Sequence, residues 1–202
     1  MKLFFFLISF LAWTQELEAQ SKLKSTKMEL GNIISDPATI NLEDVTKKLG
    51  LASIAESKNT IEIRLYSNIG FKGTQCEIIE YSTKWKASKF KLNAKDSAIK
   101  VTLKSTVALD KIVQALIAHN VFSLPAQDNI KTANYKFDPA TNQVMLSEFN
   151  LSDAPCYYIQ FKVGDKLRQY KDCGAAAYAA FYKTQHEYTD FNEIVKVLGS
   201  LK

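Results

Sequence analysis

Basic and aromatic residues gathered between positions 84 and 104 are the sequence's main candidates for chemistry. Seven lysines lie in these 21 residues, and Asp96 is the only acidic residue among them. A tryptophan lies within the cluster, and a tyrosine lies close to it in sequence. Ammonium groups attract anions, and aromatic rings supply flat contact area, so such a surface can bind an anionic glycan or another protein. We predict a binding patch formed by four residues: Tyr66, Trp85, Lys86 and Lys89.

The alternation of a β-strand would divide this patch between two faces. In a strand over residues 85–92, Trp85 and Lys89 would share one face, and Lys86 would lie on the other. Lysines on an edge strand also protect a sheet against pairing with other chains. A solvated surface without a ligand is therefore the competing interpretation.

The three cysteines include one pair that a hairpin could bring together. Gly164-Asp165 is typical of a two-residue type II′ hairpin loop. With that loop, Cys156 and Cys173 lie directly opposite each other as a non-hydrogen-bonded pair. The Cα atoms of such a pair are about 4.5 Å apart, within the short end of disulfide geometry. We predict a Cys156–Cys173 disulfide, with three reduced or buried thiols as the alternative.

No motif for catalysis or metal binding is present in the sequence. A thiol nucleophile needs a nearby histidine, and the chain has only His119 and His186. We expect His119 at a helix C-terminus, where a cation is favourable, and His186 in solvent. The nucleophile elbow, the zinc-protease helix, the phosphate-binding loop and the Cys-x-x-Cys pair are all missing. The sequence predicts no catalytic residue, no metal site and no cofactor.

The first 19 residues have the pattern of a secretory leader. Lys2 precedes eleven largely apolar residues, and a polar stretch then ends at Ala19. Eleven helical residues span about 16 Å, which is too short for a hydrocarbon core of about 30 Å. We predict cleavage before Gln20, no stable membrane span after cleavage, and a periplasmic or extracellular location. An uncleaved membrane anchor is the alternative.

Composition and charge are those of a globular protein. The chain has 202 residues, of which 47% are hydrophobic and 23% are charged, and its formal net charge is +5. A modest positive charge is compatible with anionic partners, but export argues against nucleic acid. We predict one domain over residues 20–202, with 20–40 loosely ordered.

Hydrophobic periodicity predicts an α+β fold. Four consecutive antiparallel strands are expected over residues 61–104, where apolar and polar residues alternate. Apolar residues then recur at helical spacing over 107–119, capped by Ser105 or Thr106. The other predicted elements are a short helix from Asn41 to Gly50, a connection over 126–141, a strand over 143–150, a hairpin over 157–170 and helices over 176–198. The predicted fold is a largely antiparallel sheet with helices packed on one face.

Six short stretches of the chain carry a resemblance to known proteins: the leader's end at Ala19-Gln20, then 61–66, 84–87, 121–125, 161–166 and 190–195. In these stretches the chain resembles a group of exported proteins of unknown function that is common in Bacteroidota. The resemblance covers the leader and about residues 60–198, and it implies no activity, ligand or catalytic residue.

These observations favour a non-enzymatic exported protein that binds a partner or ligand at the envelope or outside the cell. Such a protein should expose an aromatic and basic patch around Trp85. A hydrolase of an extracellular polymer is one alternative, and it requires a deep pocket with convergent polar groups. An inhibitor or immunity-type protein is another, and it requires a broad surface that fits a protein partner.

Overall fold

The computed structural model describes residues 42–69, 73–93, 95–130, 134–147, 149 and 151–201. The predicted leader, the predicted loose segment over 20–40 and the predicted helix cap at Asn41 lie outside the described residues.

A six-stranded, fully antiparallel sheet forms the centre of the described structure. Its strands are β1 Ile61–Ser67, β2 Gln75–Tyr81, β3 Trp85–Leu92, β4 Ala98–Thr102, β7 Cys156–Val163 and β8 Lys166–Cys173. The strand order is β4-β3-β2-β1-β7-β8. Strand β1 pairs with β2 on one side and β7 on the other, and every residue of β1 is buried. The four predicted strands over 61–104 are confirmed.

Two long helices cover one face of this sheet. Helix α2 (Leu109–Ala118) and helix α4 (His186–Gly199) pack on the side chains of Ile63, Ile79 and Ile159. We call this side of the sheet the helix face. The prediction of an α+β fold with helices packed on one face is confirmed. The predicted helices over 176–198 correspond to α3 (Ala175–Phe181) and α4.

A short helix lies on the opposite face of the sheet. Helix α1 (Leu42–Lys48) contributes Leu42 to a smaller apolar cluster with Tyr66, Ile78 and Tyr158. We call this side the α1 face. Single 3₁₀ turns at Ile54–Glu56 and Gln127–Asn129 complete the helical elements of the described residues.

The predicted start of helix α2 is wrong, whereas its predicted end is confirmed. The helix follows Ala108, which makes no side-chain capping hydrogen bond. The hydroxyl oxygen of Ser105 instead accepts a hydrogen bond from the N–H of Val107, at 3.1 Å. Such local bonds of serine compete with helical capping, which explains the later start. Asn120 ends the helix with a φ of +57°.

A separate hairpin, formed by β5 (Asn134–Asp138) and β6 (Gln143–Ser147), was predicted only in part. The prediction of a strand near 143–150 is confirmed, but the region predicted as a connection over 126–141 contains strand β5, which was not predicted. Four large side chains on one side of this hairpin are more than half exposed: Tyr135 (67%), Phe137 (56%), Val144 (64%) and Leu146 (53%).

The β7–β8 hairpin has the predicted register. Gly164 begins the two-residue loop with a φ of +58°, as the first central position of a type II′ turn requires. Counting outward from this loop places Cys156 opposite Cys173, with Cα atoms 4.0 Å apart and a disulfide between them. The predicted bond is confirmed, and Cys76 is a free, buried thiol.

Candidate functional site

The structure does not bring the four residues of the predicted patch together. Tyr66 is completely buried on the α1 face, so it offers no surface to a ligand. Lys89 lies on the helix face, where its ammonium group is 2.7 Å from a carboxylate oxygen of Glu77. Trp85 and Lys86 alternate between the faces, as the strand requires, yet both line one groove.

This groove lies where strand β4 ends and leaves part of β3 without a neighbouring strand. The last backbone contact is between the N–H of Leu103 and the carbonyl oxygen of Ala87, at 3.0 Å. Beyond that point the chain turns towards helix α2. The resulting cavity has a volume of about 330 Å³ and is lined by residues from both faces of the sheet. We call it the Trp85 groove.

Apolar side chains form one wall of the Trp85 groove. Ala87, Leu103 and Leu109 line it together with Trp85. The Trp85 ring is half-buried, and its centroid is 4.8 Å from that of Tyr81 at an angle of 45°. Tyr81 therefore packs against one side of the indole at the groove.

Lysine side chains dominate the polar rim of the groove. Lys84, Lys86 and Lys100 line it and are exposed, and no carboxylate of the described residues forms an ion pair with any of the three. Glu80 is the acidic residue in the lining, and one of its oxygens accepts a hydrogen bond from the Asn59 amide at 2.9 Å. Three cations against one hydrogen-bonded carboxylate give the groove a positive potential that attracts anions.

A second cavity lies on the α1 face, between helix α1, residues 51–56 and strand β7. Its volume is about 410 Å³, and polar groups of Thr46 and Gln160 line it together with the carboxylates of Glu43 and Glu56. The Tyr66 hydroxyl donates to the Gln160 side-chain oxygen at 3.0 Å and is 2.9 Å from the Thr46 hydroxyl. Burial raises the pKa of Tyr66 to about 12, so this phenol stays neutral.

A buried ion pair lies beside this second cavity, and its groups are bonded within the protein. The Arg64 Nε donates to Glu62 Oε1 at 2.6 Å, and Arg64 Nη1 donates to the carbonyl oxygen of Ala52 at 2.9 Å. The other oxygen of Glu62 accepts hydrogen bonds from Ser57 and, at 2.7 Å, from Asn59. Since these donors and acceptors already have partners, the pair supports the cavity wall and does not present a free charge to it.

An ionisable residue that the sequence did not indicate lies under helix α4. Asp172 is 2% exposed on the helix face, and its Oδ1 has no hydrogen-bond partner within the described part of the chain. Burial raises the pKa of Asp172 to about 7. Burial, together with the Asp172 charge, raises the pKa of nearby Tyr188 to about 12. Neither side chain lines the Trp85 groove or the α1-face cavity, so we assign this pair no role in ligand binding.

The two histidines have structural positions. His119 caps helix α2, and its Nδ1 is 3.1 Å from Asp190 on helix α4, which also accepts a hydrogen bond from Asn120. His186 is exposed, as predicted. Among the described residues, no group of three or more histidine, cysteine and carboxylate side chains could hold a metal ion.

Three comparisons with known proteins found no match. Neither a protein family model, nor a curated protein, nor a solved structure resembles the chain significantly. Within the described ranges, no helix combines the length and the hydropathy needed to cross a membrane.

Proposed function

We propose that this chain is an exported, non-enzymatic protein that binds an acidic glycan through the Trp85 groove. The observation that carries this proposal is the convergence of one half-buried indole and three exposed lysines on a single concave surface. Export is supported by the leader pattern and by the Cys156–Cys173 disulfide, because disulfides persist in oxidising compartments.

The composition of the groove suits a charged sugar. An indole ring packs against the apolar face of a pyranose, and ammonium groups bind a carboxylate or sulfate at its edge. A volume of about 330 Å³ is at the small end of ligand pockets, which usually measure about 300–1,000 Å³. The groove therefore fits one acidic sugar residue, and its open ends let the rest of a polymer continue along the surface.

Calorimetric titration with a galacturonate trimer tests the proposal, with the neutral galactose trimer as the matched control ligand. We expect heat of binding with the acidic trimer, weaker binding at higher salt, and no binding of the neutral trimer. A second readout locates the site. In the predicted mature chain, residues 20–202, Trp85 is the only tryptophan, so a change in its emission on titration reports the groove directly.

Variants of the rim separate the groove from general surface charge. We expect Lys86→Ala or Lys84→Ala to weaken binding about two- to fivefold, the effect of losing one exposed charge contact. Lys91→Ala removes the same charge from the far end of the same strand, outside the groove lining, and should leave affinity unchanged. Equal losses of affinity in the Lys86→Ala and Lys91→Ala variants would contradict binding at a defined site.

Cleavage of the trimer would favour the hydrolase alternative. New reducing ends appearing during the titration would contradict a non-enzymatic role and direct attention to the α1-face cavity with Glu43 and Glu56. Binding without cleavage supports the proposal.

A further inference from the structure

The outer strand of the sheet, β4, has a free edge. Among the described strands, it is the terminal strand of the sheet and pairs only with β3. All five of its residues are exposed, including two large apolar ones, Ile99 at 48% and Val101 at 49%. A strand edge of this kind carries unpaired backbone N–H and C=O groups and can accept another strand.

The alternation of hydrogen bonds identifies the free backbone groups. The N–H of Leu103 bonds to Ala87, and the N–H of Asn93 bonds to the carbonyl of Ser97. Because bonded positions alternate in an antiparallel pair, the odd-numbered residues of β4 direct their backbone N–H and C=O groups towards β3. The N–H and C=O groups of Ala98, Lys100 and Thr102 therefore point outward, away from the sheet.

The side chains along this edge differ between the two faces. Ile99 and Val101 lie on the helix face, whereas Lys100 lies on the α1 face with its ammonium 5.2 Å from the Phe90 ring centroid. In an added strand, every second side chain would lie against Ile99 and Val101, and the side chains between them would lie beside Lys100. The edge therefore fits a segment in which apolar residues alternate with acidic ones.

A second copy of this chain is a poor occupant of the edge. Antiparallel pairing of two β4 strands would bring lysines of both copies together, and like charges opposite each other are destabilising. Of the seven lysines between residues 84 and 104, only Lys89 forms an ion pair with a described carboxylate, so the surroundings are basic as well. Charge complementarity favours an acidic partner.

We propose that an extended segment of a partner protein, with apolar and acidic residues alternating, adds to β4 as an antiparallel seventh strand. The backbone supplies most of the affinity, and the alternation supplies the specificity. This inference concerns the edge of β4 and extends beyond the glycan proposed for the groove.

Binding of a seven-residue peptide in which valine alternates with glutamate tests the inference on the full chain. Calorimetry should detect this peptide and should not detect the same sequence with lysine in place of glutamate. Equal binding of both peptides would overturn the role of charge.

Methylation of the peptide backbone gives a sharper test that leaves the protein unchanged. Residues opposite Lys100 turn their N–H groups towards β4, and in the proposed strand these residues are the glutamates. N-methylation of the glutamate amides should reduce affinity at least about tenfold, whereas N-methylation of the valine amides should leave it within about twofold. The same loss with both peptides, or the reverse pattern, would overturn antiparallel strand addition.

Two protein variants at one position supply the matched comparison. Lys100→Ala removes the charge and keeps the outward backbone N–H. Lys100→Pro removes the charge and also this N–H, but it breaks no hydrogen bond to β3, because the N–H of residue 100 points away from β3. We expect Lys100→Pro to bind the peptide about tenfold more weakly than Lys100→Ala, provided that their circular dichroism spectra agree. Equal affinities of the two folded variants would overturn the use of the β4 backbone.

Discussion

Replacing Asp172 with asparagine should change the pH dependence of stability. Burial raises the pKa of this carboxyl from 3.8 to about 7 in the native state. The native state therefore holds a proton between about pH 4 and 7 that the unfolded chain releases, so the stability contributed by Asp172 is lost as pH rises through that range. Since each pKa unit corresponds to about 1.4 kcal/mol, ionisation of Asp172 costs the native state roughly 4 kcal/mol.

The Asp172→Asn variant is isosteric and cannot ionise. At pH 8 it should be more stable than the wild type by about 1–3 kcal/mol, because the removed charge penalty exceeds the cost of an unsatisfied buried amide. At pH 4, where the native carboxyl stays protonated and the charge penalty is nearly absent, the variant should instead be less stable than the wild type by about 1–3 kcal/mol, the cost of the unsatisfied amide. The variant-minus-wild-type difference in unfolding free energy should rise by roughly 4 kcal/mol from pH 4 to pH 8.

Urea unfolding followed by circular dichroism at several pH values measures this difference. Asp165→Asn is the control, since Asp165 is exposed in the loop of the same hairpin and its replacement removes no buried charge. A difference between Asp172→Asn and the wild type that stays constant from pH 4 to 8 would refute the reasoning.

Three further predictions concern stability and use the same urea assay. Replacing Cys156 and Cys173 with alanine should cost about 3 kcal/mol, since the bond closes a loop with a sequence separation of 17; an unchanged midpoint would contradict this. Glu62→Ala should lower the free energy of unfolding by about 3–5 kcal/mol, because it leaves Arg64 buried and without its carboxylate. Glu77→Ala should lower it by less, because its partner Lys89 is 29% exposed. A larger loss of stability for Glu77→Ala than for Glu62→Ala would contradict this. Phe137→Ser on the exposed hairpin should change stability by less than about 0.5 kcal/mol, and Phe161→Ala in the core should cost about 3–5 kcal/mol; similar losses would contradict the separate hairpin.

Local sequence rules were sufficient to predict the structure where a single residue determines the geometry of a turn. Gly164 sets a two-residue loop, and the loop sets the register that brings the two cysteines together seven residues away. The alternation of Ile61, Ile63 and Leu65 likewise identifies strand β1 and the side chains that enter the core.

The same alternation did not show which polar side chains are buried. Glu62 and Arg64 alternate with apolar residues, a pattern usually associated with a solvated face. They are buried because helix α1 and residues 51–56 cover that face, and such tertiary contacts leave no periodic signal in the strand. Strand β5 was missed for a related reason. Its Tyr135 and Phe137 alternate with polar residues, but neither the polarity nor the exposure of the hairpin distinguishes it from a loop.

The Trp85 groove depends on where strand β4 ends. Sequence proximity placed Trp85 among lysines, and strand alternation divided those lysines between two faces. Because β4 stops at Thr102, residues from both faces line the groove, and Trp85 and Lys86 meet there. The length of a neighbouring strand is set by long-range pairing, which is not visible in the pattern of residues 84–92.

Export in an oxidised form is the central claim, and the intact mass of the chain recovered from its own cells tests it most directly. We predict a mass matching residues 20–202 with one disulfide. Cys76 is completely buried and its pKa is raised by burial, so a thiol reagent should label it only after unfolding, and reduction should add two more labels. An uncleaved chain with three thiols labelled after unfolding without reduction would contradict both the exported location and the oxidised state.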